Sequence, residues 1–310
     1  MNDKIELIKK EIGKAIVGKD AIVEKVLTAM LADGHVLLED IPGVGKTTLA
    51  LAFSKAMGMK FNRVQFTPDV VPSDITGFSM YNKETQKFEY VAGAVMCNFF
   101  LADEINRTSS KTQSALLEVM QEGRVTVDGE THQLPQPFIV MATQNPLGTA
   151  GTQPLPEAQL DRFMIKLSMG YPDFQAQIDI LKDREIVDPL TTINEVVTGE
   201  EVMEMKDKVK SVYVDDKIYT YITTLVEATR NYPLIRLGVS PRGALALRNM
   251  AKAKAFVEGR DYVVPEDISE LFDDICRHRL ILHPKAALSN SGADEILNEI
   301  LEVNKAPKID

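Results

Sequence analysis

Two regimes of apolar spacing divide this chain. Up to about residue 170, short apolar runs alternate with stretches of helical period; beyond it the helical period dominates. Ile5, Leu7, Ile8, Ile12 and Ala15 form a helical stripe over residues 3–15, which Ile16-Val17-Gly18-Lys19 interrupts. Asp20 reads as the cap of a second helix, 21–33, with Ile22, Val26, Leu27 and Met30 on one face. HVLLE (35–39) is a short apolar strand, followed by a glycine-bearing turn and a helix from near Lys46 to Met57. FNRVQFT (61–67) alternates as a strand and leads into a Pro-, Asp- and Gly-rich segment containing PSDITG. VMCNFFLA (95–102) and PFIVMAT (137–143) are apolar runs of the kind that fill strands covered on both faces. Between them lie a helix from Thr108 to Glu122 and alternating arms, RVTVDGETHQL (124–134), about the hairpin signal Asp128-Gly129. Phe78 to Val91 forms two apolar-aromatic arms around a polar turn, Asn82 to Lys87, and reads as an inserted hairpin or loop. LPEAQLDRFMIKL (155–167) is a short helix running into a last strand. The expectation is a parallel sheet between helices.

At Tyr171-Pro172 the composition changes, placing a domain boundary near 170 and giving domains of 1–170 and 171–310. The second is expected to be all-helical, with helices over 173–184, 199–212 and 215–230, the last carrying Ile218, Ile222, Leu225 and Val226 inward. Ser240-Pro241-Arg242 opens another helix, since Ser caps well and Pro suits the first turn. Pro265-Glu266-Asp267 starts the last long one, with Ile268, Leu271, Phe272 and Ile275 inward, and the tail after Val303 is expected to fray.

The 310 residues, 45% hydrophobic and 26% charged, are ordinary for a globular chain with room for two domains. No apolar run approaches the roughly 20 residues that span a bilayer, and MNDKIELIKKEIG lacks a signal-peptide core, so a cytoplasmic protein without membrane insertion is expected. A net charge of −10 opposes a broad nucleic-acid-binding surface while leaving a local basic groove or pore open. Cys97, in an apolar strand, and Cys276, in an amphipathic helix, fit neither a disulfide framework nor a metal knuckle. His35, His132, His278 and His283 lack ligand spacing, so no metal is assigned to histidine.

The chemistry concentrates in HVLLEDIPGVGKTTLAL (35–51). Gly43 and Gly45 let the loop Pro42-Gly43-Val44-Gly45-Lys46-Thr47-Thr48 turn tightly enough for successive N–H groups to face phosphate oxygens, with a helix N-terminus behind them. Lys46 reaches the β- and γ-phosphates, and the Thr47 hydroxyl supplies an oxygen to Mg²⁺. Asp40 stands where the strict phosphate-loop pattern has Gly. The run 95–102 ends at Asp103-Glu104, which reads either as a helix cap or as a pair in which Asp103 holds Mg²⁺ and Glu104 polarises the attacking water; the loop upstream favours the pair. Asn145, after the strand 137–143, has the alternatives of starting a turn or hydrogen-bonding the γ-phosphate or the water. Arg162 carries little information alone, and Arg242 at a helix start either faces an anion or is solvated.

The order of these features resembles the AAA+ ATPases. LEDIPGVGKT, FFLADEINRTSSKTQSALLEVMQE, the hairpin after it, ATQNP, LPEAQLDRFM and SPR together resemble the MoxR family across nearly the whole chain. Asp40 is typical of that family. The resemblance implies a P-loop NTPase core with a helical lid, ATP and Mg²⁺ as ligands, Lys46 and Thr47 as Walker A, and Asp103 and Glu104 as Walker B. It further implies Asn145 as sensor 1, Arg162 as an arginine finger acting in trans, Arg242 as sensor 2 in its own or a neighbouring subunit, and Ile16-Val17-Gly18 against the adenine. Residues 78–91 then match the helix-2 insert, 124–134 the pre-sensor-1 hairpin and 199–212 a helix inserted before sensor 2. A hexameric ring that remodels protein clients, with a von Willebrand factor A domain partner, is the implied function. The alternatives are a nucleic-acid motor or magnesium-chelatase-like motor subunit, opposed by the hairpin tip Asp128-Gly129-Glu130, and a slow nucleotide-dependent switch.

Overall fold

The computed structural model describes residues 2–146, 153–183, 188–288 and 291–308. The first part runs α1 (Asn2–Gly13), α2 (Asp20–Leu31), β1 (Val36–Glu39), α3 (Lys46–Ala56), β2 (Phe61–Gln65), α4 (Pro72–Thr76) and the hairpin β3 (Gly77–Asn82) and β4 (Lys87–Ala92). It continues through β5 (Phe99–Asp103), α5 (Ser110–Glu122), the hairpin β6 (Arg124–Val127) and β7 (Glu130–Gln133), β8 (Ile139–Gln144), α6 (Glu157–Leu160) and β9 (Ile165–Leu167). The order β2-β5-β8-β1-β9 makes a five-stranded sheet, parallel throughout.

Period-two alternation divides the apolar runs between the two faces of this sheet. Val36, Leu38, Phe99, Leu101, Ile139, Met141 and Ile165 join a core with α1, α2 and α3. Leu37, Phe100, Ala102, Val140 and Ala142 join the opposite core with Leu116, Leu117 and Val119 of α5. The register pairs Gln65 with Asp103, Ala102 with Ala142 and Glu39 with Gln144. The carboxyl ends of β1, β5 and β8 therefore lie side by side, where ligands bind open α/β sheets.

Beyond the sheet come α7 (Phe174–Asp183), α8 (Gly199–Ser211), α9 (Asp216–Asn231), β10 (Ile235–Leu237), α10 (Pro241–Val257), α11 (Pro265–Cys276), β11 (Ile281–Leu282), α12 (Pro284–Leu288) and α13 (Ala293–Val303). Ile218, Leu225, Leu247, Met250, Ile268, Phe272 and Leu297 are buried among them, giving the helical lid of the AAA+ α/β fold.

Several local expectations need correction. Asp20 is the first residue of α2 rather than its cap, and that helix ends at Leu31. Leu7 is 44% exposed, because only the i, i+3, i+7 set Ile5, Ile8 and Ile12 faces inward. Cys97 precedes its strand: the amides of Asn98 and Phe99 both reach the Lys60 carbonyl at 3.0 Å, so Val95–Asn98 turns before pairing starts at Phe99. Burial pushes both thiols up to about 12, which suits packed rather than reactive cysteines. The helix expected from Thr108 begins at Ser110 because the Ser109 hydroxyl accepts the Thr112 amide at 3.3 Å. The lid is not wholly helical, since β10 and β11 pair antiparallel, and α13 follows the helix read as the last long one. Residue 184, the expected end of α7, lies outside the described residues, as do the last two residues of the tail.

Candidate functional site

Gly43 and Gly45 adopt φ of 87° and 97°, left-handed values at which an added side chain is strained, so the loop between β1 and α3 closes tightly as its glycines require. It forms the floor of a cavity of about 600 Å³ lined by Pro42 through Thr48. Lys46 Nζ folds back over the loop and donates to the carbonyls of Asp40 at 2.7 Å and Ile41 at 3.3 Å. Burial pulls its pKa below the ordinary lysine value, against the opposing pull of Asp40, Asp103 and Glu104.

Asp103 and Glu104 line the same cavity. Asp103 Oδ1 accepts from the Thr143 hydroxyl at 2.7 Å, and Oδ2 accepts from Arg63 Nη2 at 2.6 Å and Nε at 3.2 Å. Glu104 takes a left-handed conformation, φ 56° and ψ 50°, rare for a non-glycine residue. Its amide donates to the Thr143 hydroxyl at 2.9 Å, and its Oε2 accepts from Arg107 Nη1 at 2.8 Å. One hydroxyl on the neighbouring strand thus fixes both acids, accepting from the backbone of one and donating to the carboxylate of the other. Helix capping, the alternative for this pair, falls to Ser109.

The donor set fits a hard cation that is completed by a ligand. Asp103 and Thr47 offer oxygens beside Lys46, and no group of three or more His, Cys, Asp or Glu gathers anywhere among the described residues. Mg²⁺ suits such a site because it keeps waters and takes substrate phosphate oxygens rather than filling a protein cage.

Away from the phosphate loop and the acids the lining is mostly apolar, with Lys19 and Gln177 the polar members. Ala15, Ile16, Val17, Met169, Tyr171, Pro172 and Ile180 make up its apolar part, giving a slot suited to a planar base. Gly18, with φ of 70°, brings this loop against α7, and Lys19 Nζ donates to the Tyr171 carbonyl at 2.8 Å.

Asp40, the departure from the glycine rule, has a structural purpose. It is 5% exposed, and its carboxylate accepts the amides of Met169 and Gly170, the latter at 3.2 Å, and the Ser168 hydroxyl at 3.0 Å. It ties the loop to the segment leaving β9 that supplies the apolar wall. Asp40→Asn, which gives up charge-assisted bonds, is expected to cost about 1–3 kcal/mol. A calorimetric Tm equal to wild type would show that the tie contributes nothing.

Asn145 follows β8 and accepts the Asn106 side-chain amide on its carbonyl at 3.2 Å. Arg162 and Arg242 are absent from the lining of the loop cavity. They share a second hollow of about 210 Å³, lined also by Asp33, Gln121, Leu245 and Asn249. Sequence reasoning missed Thr143, Arg63 and Gln65 as residues around the acids; only the places of Thr143 and Gln65 at the carboxyl ends of β8 and β2 could have signalled any of them. His35 is accounted for structurally: the Val140 amide donates to Nδ1 at 3.0 Å, and Nε2 lies 3.0 Å from the Met120 carbonyl. Burial lowers its pKa and favours the neutral tautomer with the proton on Nε2.

The family model of the ATPase family associated with various cellular activities (AAA) matches residues 35–165, and that of the AAA lid domain matches 227–300. The uncharacterised protein YeaC of Bacillus subtilis is 51% identical over 96% of this chain and 93% of its own length. Chaperone MoxR1 of Mycobacterium tuberculosis is 39% identical over 96% of this chain and 81% of its own. The crystal structure of a candidate ATPase from Cytophaga hutchinsonii, 38% identical, superposes with a TM-score of 0.91 over 99% of this chain and 96% of that one. Phosphate loop, paired acids, sheet order, lid and near-full-length relatives agree, and the chain belongs to the MoxR family of AAA+ ATPases.

Proposed function

We propose that the protein is a Mg²⁺-dependent ATP hydrolase that works as a ring, taken here as a hexamer, and remodels protein clients. The observation that carries the ring is the separation of the site into two parts: loop and acids line one cavity, while Arg162 and Arg242 lie together in another. Phosphoryl transfer needs positive charge on the developing phosphate oxygens; the loop cavity has Lys46, and Arg63, which is engaged by Asp103, so the arginines of the second hollow would add to it from a neighbour. In a ring, one subunit's arginine hollow faces its neighbour's loop cavity, so both arginines act in trans.

Within the cavity the loop amides and Lys46 bind the phosphates and Glu104 orients and polarises the water; Asn145, at the end of β8 and outside the cavity lining, would reach the γ-phosphate or that water once nucleotide is bound. Thr47 and Asp103 would hold Mg²⁺, which would supply charge neutralisation to the phosphates. Ile16, Val17 and Gly18 lie along the base.

The hairpins are the parts we assign to client contact. Met80, Tyr81 and Phe88 on the arms of β3–β4, behind its polar turn, are 56%, 50% and 74% exposed, an apolar patch suited to unfolded peptide. Tyr90 of that hairpin stacks on His132 of β6–β7 with ring centroids 3.8 Å apart, so a displacement of one carries the other. The acidic turn Asp128-Gly129-Glu130 disfavours nucleic acid in the same place. A partner with a von Willebrand factor A domain, and a cytoplasmic setting, are expectations from the family resemblance; no described helix is long and apolar enough to cross a membrane.

Turnover per subunit measured across a dilution series, with mass distribution followed by analytical ultracentrifugation, tests the ring. Activity should fall as the ring dissociates, and constant activity in dilute monomer would overturn it. Lys46→Ala should weaken ATP binding about 10- to 100-fold, the value of a charge-assisted phosphate contact. Wild-type affinity by titration calorimetry would remove Lys46 from the phosphate site.

A further inference from the structure

The segments carrying the two arginines meet at a third. Asp161 immediately precedes Arg162, while Ser240 and Gly243 flank Arg242 at the start of α10. Arg279, in the turn after α11, is 6% exposed, and its guanidinium enters the gap between them. Its Nε donates to Asp161 Oδ1 at 2.8 Å. Its Nη2 donates to the carbonyls of Phe163 at 2.6 Å and Asp161 at 3.3 Å, and its Nη1 to those of Met164 at 3.2 Å and Ile275. These partners bracket Arg162 along the backbone.

The same carboxylate holds the start of α10. Ser240 Oγ lies 3.1 Å and 3.0 Å from the two Asp161 oxygens and donates there, while accepting the Gly243 amide at 3.1 Å as the helix cap. The aliphatic stem of Arg279 passes over Gly243: a Cβ there would sit 2.8 Å from Arg279 Cδ and 2.5 Å from Val239 Cγ1. A lid held to the sheet only by apolar contact could slide. A rigid guanidinium fork on four carbonyls and a carboxylate fixes orientation as well as distance.

We propose that Arg279 is a positioning residue: with Asp161 as the acceptor it shares with Ser240, it sets Arg162 and Arg242 in one register, so that sheet and lid present both arginines to the neighbouring nucleotide as a single unit. This rests on the trans role assigned to Arg162 above. Movement of the lid then moves both arginines together rather than withdrawing one.

The test is complementation in mixed rings. Arg279→Lys keeps the charge and loses the fork. Homomeric rings of this variant should assemble and bind ATP normally yet turn over about 10²-fold more slowly, the cost of misplacing a transition-state contact by about an ångström. Mixing with Glu104→Gln subunits should restore turnover, because those subunits bring intact arginine faces to Arg279→Lys cavities. A folding defect or damage to the loop cavity would not be rescued. Arg162→Ala mixed with Glu104→Gln is the control. If the control recovers and the Arg279→Lys mixture does not, or if Arg279→Lys rings turn over at the wild-type rate, the positioning role is wrong. If neither mixture recovers, the trans reading fails and this inference with it. Should Arg279→Lys fail to assemble, Gly243→Ala, whose Cβ crowds both Val239 and the Arg279 stem, carries the test with the same slowing and rescue expected. Wild-type turnover in Gly243→Ala would overturn the proposal.

Discussion

Arg162→Ala is expected to lower ATP turnover about 10³-fold while leaving ATP binding unchanged, the signature of a contact made to the transition state from outside the binding cavity. The direction of the side chain is the reason. Arg162 Nη1 donates to the Leu117 carbonyl at 2.8 Å, so the guanidinium lies along α5, and the residue lines hollows beside α5 and Arg242 rather than the cavity of the loop and the acids. In the proposed ring, a side chain held there would serve a nucleotide on another subunit. Truncation removes one hydrogen bond to a backbone carbonyl, so the loss of stability should stay near 1 kcal/mol. Steady-state turnover, fluorescent-nucleotide binding and thermal unfolding together separate the possibilities. Slow turnover with normal binding and a small Tm change fits the finger. A large Tm loss with proportionate loss of binding would make Arg162 a brace for α5 instead.

Where sequence predicts this protein well, a backbone rule and a chemical requirement coincide. Gly43 and Gly45 were legible because a tight phosphate loop admits few other residues, and Asp128-Gly129 because a two-residue hairpin needs positive φ at both positions, here 50° and 86°. The buried strands were legible as apolar runs, although the run from Val95 concealed a turn, because burial alone does not distinguish a strand from the turn that feeds it. The fixing of the acids was not legible. Thr143 is one threonine at the end of an apolar strand, and its importance comes from the parallel pairing of β5 with β8, which places it beside Asp103 across 40 residues of sequence. Asp40 is a middle case. As a broken rule it was visible, but its reason, the amides of Met169 and Gly170, lies 129 and 130 residues away. Arg279 gave no signal at all, because an arginine at the end of an amphipathic helix looks solvated until the tertiary fold buries it.

Glu104→Gln should form rings that hold ATP and hydrolyse it at least about 10²-fold more slowly, within the range a positioned general base contributes. Glutamine preserves the shape and the backbone features of this position: the left-handed conformation and the amide bond to Thr143 need no carboxylate. What it removes is the charge assigned above to polarising water and the ion pair with Arg107. That pair joins side chains 44% and 23% exposed, so its loss should cost stability less than about 1 kcal/mol. A slowed variant of unchanged Tm therefore isolates the chemistry from the fold. Single-turnover assays with the bound nucleotide analysed by chromatography give the decisive reading: ATP retained in assembled rings supports Glu104 as the base, and rapid conversion to ADP refutes it. The ATP-locked ring also separates the two classes of substrate. A ring that then retains unfolded polypeptide through nuclease treatment acts on protein, whereas one that retains only oligonucleotide would replace the remodelling reading with that of a nucleic-acid motor, despite the acidic turn at Asp128.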